Sequence, residues 1–515
     1  MKHISILIVL GFLSMNKIEA QPGTLDPSFH SDGKVITDVG TDKSAIYGLA
    51  IQPDGKIVAA GFRETQFSHN FSLVRYMGDG TLDASFDLDG IVTTTFTSDS
   101  RAQSVALQSD GKIVATGFTS GGYDFAIVRY NSDGSQDPSF DGDGKVTTDL
   151  GYNERANKIV IQPDGKILVG GTYFSKYFML ARYNPNGSLD TSFSGNGILS
   201  TYSGNGYDEL TSLLLQPDGK IIAGGWNQGG PTSFFMVRYH SNGDLDSSFS
   251  GDGKNLFSLT PQGLQKLTSM ALQQDGKIIV TGGYSSDYIN YYYAITRLNT
   301  NGSFDNTFDN DGMILTNISG GYDFSSTAIQ MDGKILIAGS STNTATDFDF
   351  TLMRYNSNGT PDQSFDSDGI TTTAMSNLRD EAYTMAIQPD GKILLGGYSN
   401  TEVSNNYSFA LARYFSGIEV GILDFSLNPK LVLFYPNPVH QYAVIHYELG
   451  HSEVISMDLK DIEGCHISTF VDHEPREPGR YSQKLEIPDN IRPGSYILTI
   501  SDGSGRKIYV KILKD

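Results

Sequence analysis

Carboxylates, arginines and lysines recur along this sequence at fixed spacing, and the chemistry they offer first is ion pairing. Asp-Gly-Lys begins at Asp54, Asp110, Asp164, Asp218, Asp275, Asp332 and Asp390, successive copies standing 54 to 58 residues apart. Arg75, Arg129, Arg182, Arg238, Arg297, Arg354 and Arg413 each precede a tyrosine, or once Leu298. A Leu-Asp-x-Ser-Phe-like segment ends at Phe29, Phe86, Phe140, Phe193, Phe249, Phe308 and Phe365. Groups repeated in fixed order describe an architecture before they describe one active site. Asp-Gly suits a hairpin turn, because glycine tolerates positive φ. Each repeated arginine is placed to pair with a repeated aspartate, that of the Leu-Asp-x-Ser-Phe segment, and so to tie strands together. The alternative is a ring of cations for an anionic ligand.

Other groups have the residue types for metal binding, catalysis or recognition. Asp87-Leu88-Asp89-Gly90, Asp141-Gly142-Asp143-Gly144, Asp309-Asn310-Asp311-Gly312 and Asp366-Ser367-Asp368-Gly369 form half of a calcium-loop pattern. The closing glutamate of such a loop is missing, and Asx turns account for the same residues. No cofactor is therefore expected, with calcium the alternative. His30, His69 and His240 stand apart from any serine or aspartate motif of nucleophilic type. Glu64, Glu154, Glu209, Glu381 and Glu402 are scattered over what read as inter-strand loops. Two of them could meet in a central funnel as the acid and base of glycoside hydrolysis, and nothing in their spacing says that they do. Catalysis is not expected. Residues that break the repeat are the better binding candidates. Trp226, the only tryptophan, opens the segment Trp226-Asn227-Gln228-Gly229-Gly230-Pro231, read as a loop. Tyr288, Tyr291 and Tyr292, with Tyr293 beside them, form a second aromatic group. Exposed rings bind sugars or peptides by apolar stacking, and core packing is the competing use.

The elements that position these residues are strands. Glycine (57), tyrosine (28) and phenylalanine (28) are abundant in the 515 residues, and only 18% are charged. That composition favours short strands and tight turns. Within 101–150, Ser104 to Gln108 leads into the Asp110-Gly111 turn, and Lys112 to Phe118 leaves it. Phe125 to Tyr130 and Lys145 to Asp149 complete four strands, the number in one propeller blade. The phase is offset. The mature chain opens on a fourth-type strand, Lys34 to Val39, and the seventh unit ends on a third-type strand, Phe409 to Tyr414. Pairing these two removes two exposed sheet edges. The fold class expected is all-β: a seven-bladed β-propeller closed by the N-terminal strand, then a small immunoglobulin-like β-sandwich. Ile161-Gln162-Pro163-Asp164-Gly165-Lys166-Ile167, Arg182-Tyr183-Asn184 and Leu189-Asp190-Thr191-Ser192-Phe193 resemble the delta-60 repeat of bacterial propeller proteins. The resemblance spans roughly 24–415 and supplies no catalytic residues.

Four segments follow: a signal peptide (1–20), the propeller (21–415), a linker (416–430) and a C-terminal domain (431–515). Lys2, the apolar run Ile4 to Met15 and Ile18-Glu19-Ala20 give the first its export character. That run is too short to span a bilayer. Strand-like runs at 431–435, 442–449, 453–460, 481–487, 495–500 and 507–513 make up the last. Tyr435-Pro436-Asn437-Pro438, Pro493-Gly494-Ser495-Tyr496-Ile497 and the strand Lys507 to Leu513 resemble the C-terminal sorting domain of the bacterial type IX secretion system. That resemblance implies the secretion machinery as a partner and a secreted or outer-membrane-surface location. A net charge of −21 repels a phosphate backbone, so nucleic acid is not expected as a partner. One cysteine, Cys465, excludes an internal disulfide framework. The function expected is a non-enzymatic binding or scaffold propeller, monomeric, with a glycan or protein ligand. The alternative is a propeller hydrolase or lyase acting on extracellular polysaccharide.

Overall fold

The computed structural model describes residues 21–40, 42–65, 68–96, 99–119, 123–151, 153–173, 176–230, 232–320, 325–330, 332–343, 347–400 and 406–417. It further describes 433–435, 442–449, 452–461, 466–477, 479–488, 491, 494–503 and 507–514. The expected signal peptide, most of the linker, Pro436 to Pro438 and Pro493 lie outside these residues. The chain divides into two compact units, 1–417 and 418–515.

In the first unit the described chain forms seven antiparallel sheets of four strands. Sheet 4 is typical: Asp208–Leu215, Ile221–Asn227, Ser233–Tyr239 and Lys254–Phe257 pair in that order. Its second and third strands read as nearly continuous apolar runs because both their faces are covered. The first strands of the seven sheets are Ser44–Ile51, Ser100–Leu107, Glu154–Ile161, Asp208–Leu215, Leu264–Leu272, Ser326–Ile329 and Asp380–Ile387. Each packs against the next, and the seventh packs against the first, so the cycle is closed. Sheet 7 joins Asp380–Ile387, Ile393–Asn400 and Tyr407–Tyr414 to Lys34–Thr37 from the other end of the unit. Val35 stands opposite Leu411, and Thr37 opposite Phe409. The core lies between successive sheets. Val58, Phe71 and Leu73 of sheet 1 pack with Val105, Ile113 and Val128 of sheet 2. Val35, Leu394 and Leu411 of sheet 7 pack with Ile46, Ile57 and Val74 of sheet 1.

The repeated polar residues form one cluster per sheet. Arg238 Nε donates to Asp246 Oδ2 at 2.7 Å, and Lys220 of the Asp-Gly-Lys turn lies 3.5 Å from the same oxygen. The other Arg–Asp pairs are Arg75–Asp83, Arg129–Asp137, Arg182–Asp190, Arg297–Asp305, Arg354–Asp362 and Arg413–Asp26. The aspartate also accepts from a neighbouring backbone N–H and hydroxyl, as Asp246 Oδ1 does from Ser248. The guanidinium stacks on the repeat phenylalanine, Arg238 lying 4.8 Å from the Phe249 ring centre. A further donor crosses to the next sheet. Arg75 reaches the carbonyl of Ser132, Arg129 that of Pro185, Arg182 that of Ser241 and Arg238 that of Thr300. Arg297 reaches Ser357, Arg354 reaches Ser416, and Arg413 returns to Gly78 of sheet 1. Burial by itself would raise the Asp362 carboxyl, yet the Ser364 hydroxyl, Lys334 and Arg354 hold it down at about 2. The acidic loops are turns: Asp89, Asp143, Asp311 and Asp368 each accept the backbone N–H two residues on.

The described residues of the second unit form two antiparallel sheets. One orders Leu433–Tyr435, Tyr442–Leu449 and Gly479–Glu486; the other orders His466–Arg476, Glu453–Asp461, Gly494–Asp502 and Lys507–Lys514. Ile445 and Leu485 of the first share a core with Met457, Leu459, Leu498 and Ile512 of the second. His466–Arg476 was not expected as a strand. Val471 is its one buried residue and three register shifts interrupt its pairing, so the sequence lacks a clean period of two.

Removing a clamp arginine should weaken the whole first unit. Arg297→Ala leaves the buried Asp305 without its closest cation and deletes the bond to Ser357. A loss of about 3–5 kcal/mol is expected in urea unfolding. An unchanged midpoint would contradict the structural weight given to the clamp.

Candidate functional site: the central channel

The closed cycle of first strands encloses a channel, and the sequence decides locally what faces it. Six of these strands carry a β-bulge at one repeat position. The residues left out of register are Tyr47, Gln103, Asn157, Thr211, Thr268 and Tyr383. All six line a cavity of about 340 Å³, to which sheet 6 adds Ser325, just before its first strand. A bulge re-aims a side chain, and here it adds one inward residue per strand. Glycine on the second strand makes room for it. A Cβ on Gly225 would come 1.8 Å from the Glu209 carbonyl oxygen, and one on Gly117 would come equally near that of Arg101.

The residue after each of these glycines stands opposite a first-strand residue. Phe118 pairs with Arg101 and Trp226 with Glu209. Both pairs line the cavity. Since this position lies at the beginning of first strands and the end of second strands, the wall is nearest the loops that vary between repeats. Trp226 is thus a half-buried member of the strand Ile221–Asn227, where a loop had been expected. Its repeat position holds Phe62 in sheet 1, Phe118 in sheet 2 and Tyr398 in sheet 7. The aromatic recurrence, visible in Gly61-Phe62, Gly117-Phe118, Gly225-Trp226 and Gly397-Tyr398, is the signal that could have placed it. Lys266 Nζ lies 5.0 Å from the Trp226 ring centre.

The tyrosine group falls elsewhere. Tyr288 is exposed in the turn after the second strand of sheet 5, with φ of 63°. Tyr292 begins the third strand, its ring 5.7 Å from that of Tyr284. Tyr293 is buried, donating its hydroxyl to the Ser340 carbonyl at 2.7 Å. Neither Tyr288, Tyr291 nor Tyr292 lines the cavity that holds Trp226.

The cations of the channel wall were missed by motif reading, because the inward position changes along the ring, from arginine in sheets 2 and 3 to Glu209 in sheet 4 and Lys266 in sheet 5. Arg101, Arg155, Lys158 and Lys266 line the cavity against one carboxylate, Glu209. Arg101 and Arg155 occupy the same repeat position in sheets 2 and 3. Lys158 follows a bulge, where other strands have Gly48, Ser104, Ser212, Ser269 and Thr384. Burial lowers the Lys158 ammonium below its ordinary value. On the opposite side Tyr47 and Tyr383 stack with ring centres 5.1 Å apart. Burial pushes the Tyr47 phenol up to about 12, and burial with the Glu381 charge pushes that of Tyr383 higher still. Glu381 accepts from Arg379 Nε at 2.6 Å and from the Tyr398 hydroxyl at 3.0 Å. A separate group, Asp124, Asp149 and Glu154, brings three carboxylates within reach of one another. The Asp124 carboxyl is raised by burial and by the Asp149 charge.

Comparison with known proteins gives the repeat a family description. Residues 52–86, 108–140, 162–193, 216–249, 273–308, 330–365 and 388–417 match "Domain of unknown function (DUF5122) beta-propeller". No curated protein matches the sequence. Among solved structures, a protein of unknown function from Dyadobacter fermentans DSM 18053 is similar at 11% identity, covering 74% of this chain and 98% of that one, with a TM-score of 0.42. Polysaccharide lyase Uly1 is similar at 12% identity, covering 78% of this chain and 94% of that one, with a TM-score of 0.46. An endo-1,4-beta-xylanase from Bacteroides thetaiotaomicron VPI-5482 is similar at 11% identity, covering 54% and 96%, with a TM-score of 0.29. Likenesses this distant say nothing of substrate. Seven segments of the chain match the DUF5122 beta-propeller repeat, one in each four-stranded sheet of the first unit.

Proposed function

We propose that this protein is an exported, non-enzymatic binding propeller whose ligand enters the central channel. One observation carries the reading: the cavity wall sets four cations and several aromatic rings against a single carboxylate, Glu209. Hydrolysis of a glycosidic bond calls for two carboxylates across it, and this wall offers one. Burial raises the phenols of Tyr47 and Tyr383, which favours their neutral forms. A hydrolase or lyase acting on extracellular polysaccharide is the second reading. Lys158 favours it, since a lysine with a lowered pKa is a usable general base. The two readings separate in one assay. Acidic and neutral oligosaccharides incubated with the full chain should be bound and recovered intact. New reducing ends or unsaturated sugars, lost in Lys158→Met, would overturn the non-enzymatic reading.

Export is part of the same proposal. The first residues act as a signal peptide, and the second unit is an immunoglobulin-like sorting domain read by a type IX machinery. The pairing of Lys34–Thr37 with Phe409–Ala412 supports closure of a delta-60-type ring by the N-terminal strand. No described helix is long and apolar enough to cross a membrane. Deleting 431–515 should leave the protein in the periplasm of a type IX-competent host. Its appearance outside the cell at the full chain's level would remove the sorting role.

A further inference from the structure

Three of the channel cations differ from every clamp arginine in what surrounds them. Among the described residues, no carboxylate lies within ion-pair distance of Arg101, Arg155 or Lys158. Arg155 is exposed and is held by ring faces, with Phe118 at 5.2 Å and Tyr123 at 5.0 Å. Arg101 lies 4.6 Å from the Phe62 ring centre and donates Nη2 to His69 Nε2 at 2.9 Å. His69 Nδ1 is itself 3.1 Å from Asp99 Oδ2, so a carboxylate fixes the imidazole and not the arginine. Lys158 carries the desolvation without a compensating anion. Arg379, by contrast, has both Glu381 and Asp347. Such an arc in a chain of net charge −21 is a local reversal of field.

We infer that Arg101, Arg155 and Lys158 form an anion subsite for an acidic sugar, a uronate or a sulfated pyranose, with Trp226 as its stacking surface. The inference deepens the proposal of a channel ligand and rests on it. Forked guanidinium donors match the planar carboxylate or the sulfate oxygens, and charge-assisted bonds are stronger than neutral ones. Gln103, the bulged residue of the strand that carries Arg101, supplies an amide for ring hydroxyls. An aromatic face meets the apolar face of a pyranose. The cavity, about 340 Å³, falls in the range of small-ligand sites.

The test is calorimetric titration of the full chain with oligogalacturonate, a sulfated galactan oligosaccharide and a neutral galactan oligosaccharide. Fluorescence of the single tryptophan locates the event. At least one acidic sugar should bind, at least about tenfold more tightly than the neutral one. The arm that binds tells carboxylate from sulfate. Arg155→Ala and Lys158→Met should each weaken that binding about tenfold with an unchanged unfolding midpoint. Lys145→Ala, on the outermost strand of sheet 2, should bind as the parent does. Equal binding of the neutral sugar, unaffected variants, or no binding in any arm would overturn the subsite. Cleavage of the acidic sugar with the same dependence on Arg155 would support the subsite and sink the non-enzymatic reading instead.

Discussion

An aspartate buried between an arginine and a lysine is the interaction on which this propeller depends. It is satisfied within its own sheet, and its arginine then spends a remaining donor on the next sheet's backbone. Because Arg413 returns to Gly78, the chain of donors has no end. Burying a charge is costly unless its partners and hydrogen bonds are complete. Here Asp246 has Arg238, Lys220 and Ser248 around it, so the cost is met locally and the geometry between sheets becomes specific. Apolar contact between sheets supplies most of the driving force, being non-directional. The clamps fix which turn meets which.

A frame defined at its turns leaves the opposite end of each inner strand free to vary. The bulges then add a side chain to the channel, at the expense of requiring glycine opposite. This separates duties within one repeat. Asp-Gly-Lys, the clamp arginine and the repeat phenylalanine serve the frame. The register position before the bulge pair carries Ala45, Arg101, Arg155, Glu209, Lys266 and Glu381 in turn, with no structural repeat, and four of them, Arg101, Arg155, Glu209 and Lys266, line the cavity. Sheet 5 shows how far the frame tolerates exceptions. Leu298 replaces the tyrosine whose hydroxyl in four other repeats meets an outer-strand threonine, as Tyr239 reaches Thr201. Apolar packing holds Leu298 fully buried all the same.

The frame was legible in the sequence because it repeats. Three motifs gave the strand number, the hairpin turns and the Arg–Asp pairing. The lysine's share in that pairing was not legible, since its distance in sequence from the aspartate exceeds any local motif. Neither was the channel. A bulge is a backbone event with no residue signature of its own, and it moved Asn157 and Lys158 onto one wall. Trp226 was found as an oddity and misread as a loop residue. Its place in a strand follows from comparing it with Phe118 and Tyr398, not from its rarity. The tyrosines at 288–292 drew notice by composition alone, and composition does not report which way a turn projects.

The central claim is that the clamps make seven sheets one cooperative ring, leaving the channel wall free for recognition. Open repeat arrays transmit stability only between neighbours, whereas a closed cycle has no free end from which to unravel. Native-state hydrogen exchange of Arg238→Ala tests this most directly, because it reads each sheet separately. The account expects the most protected amides of all seven sheets to lose protection by a similar free energy. Loss confined to sheets 4 and 5, on either side of the deleted clamp, would contradict it.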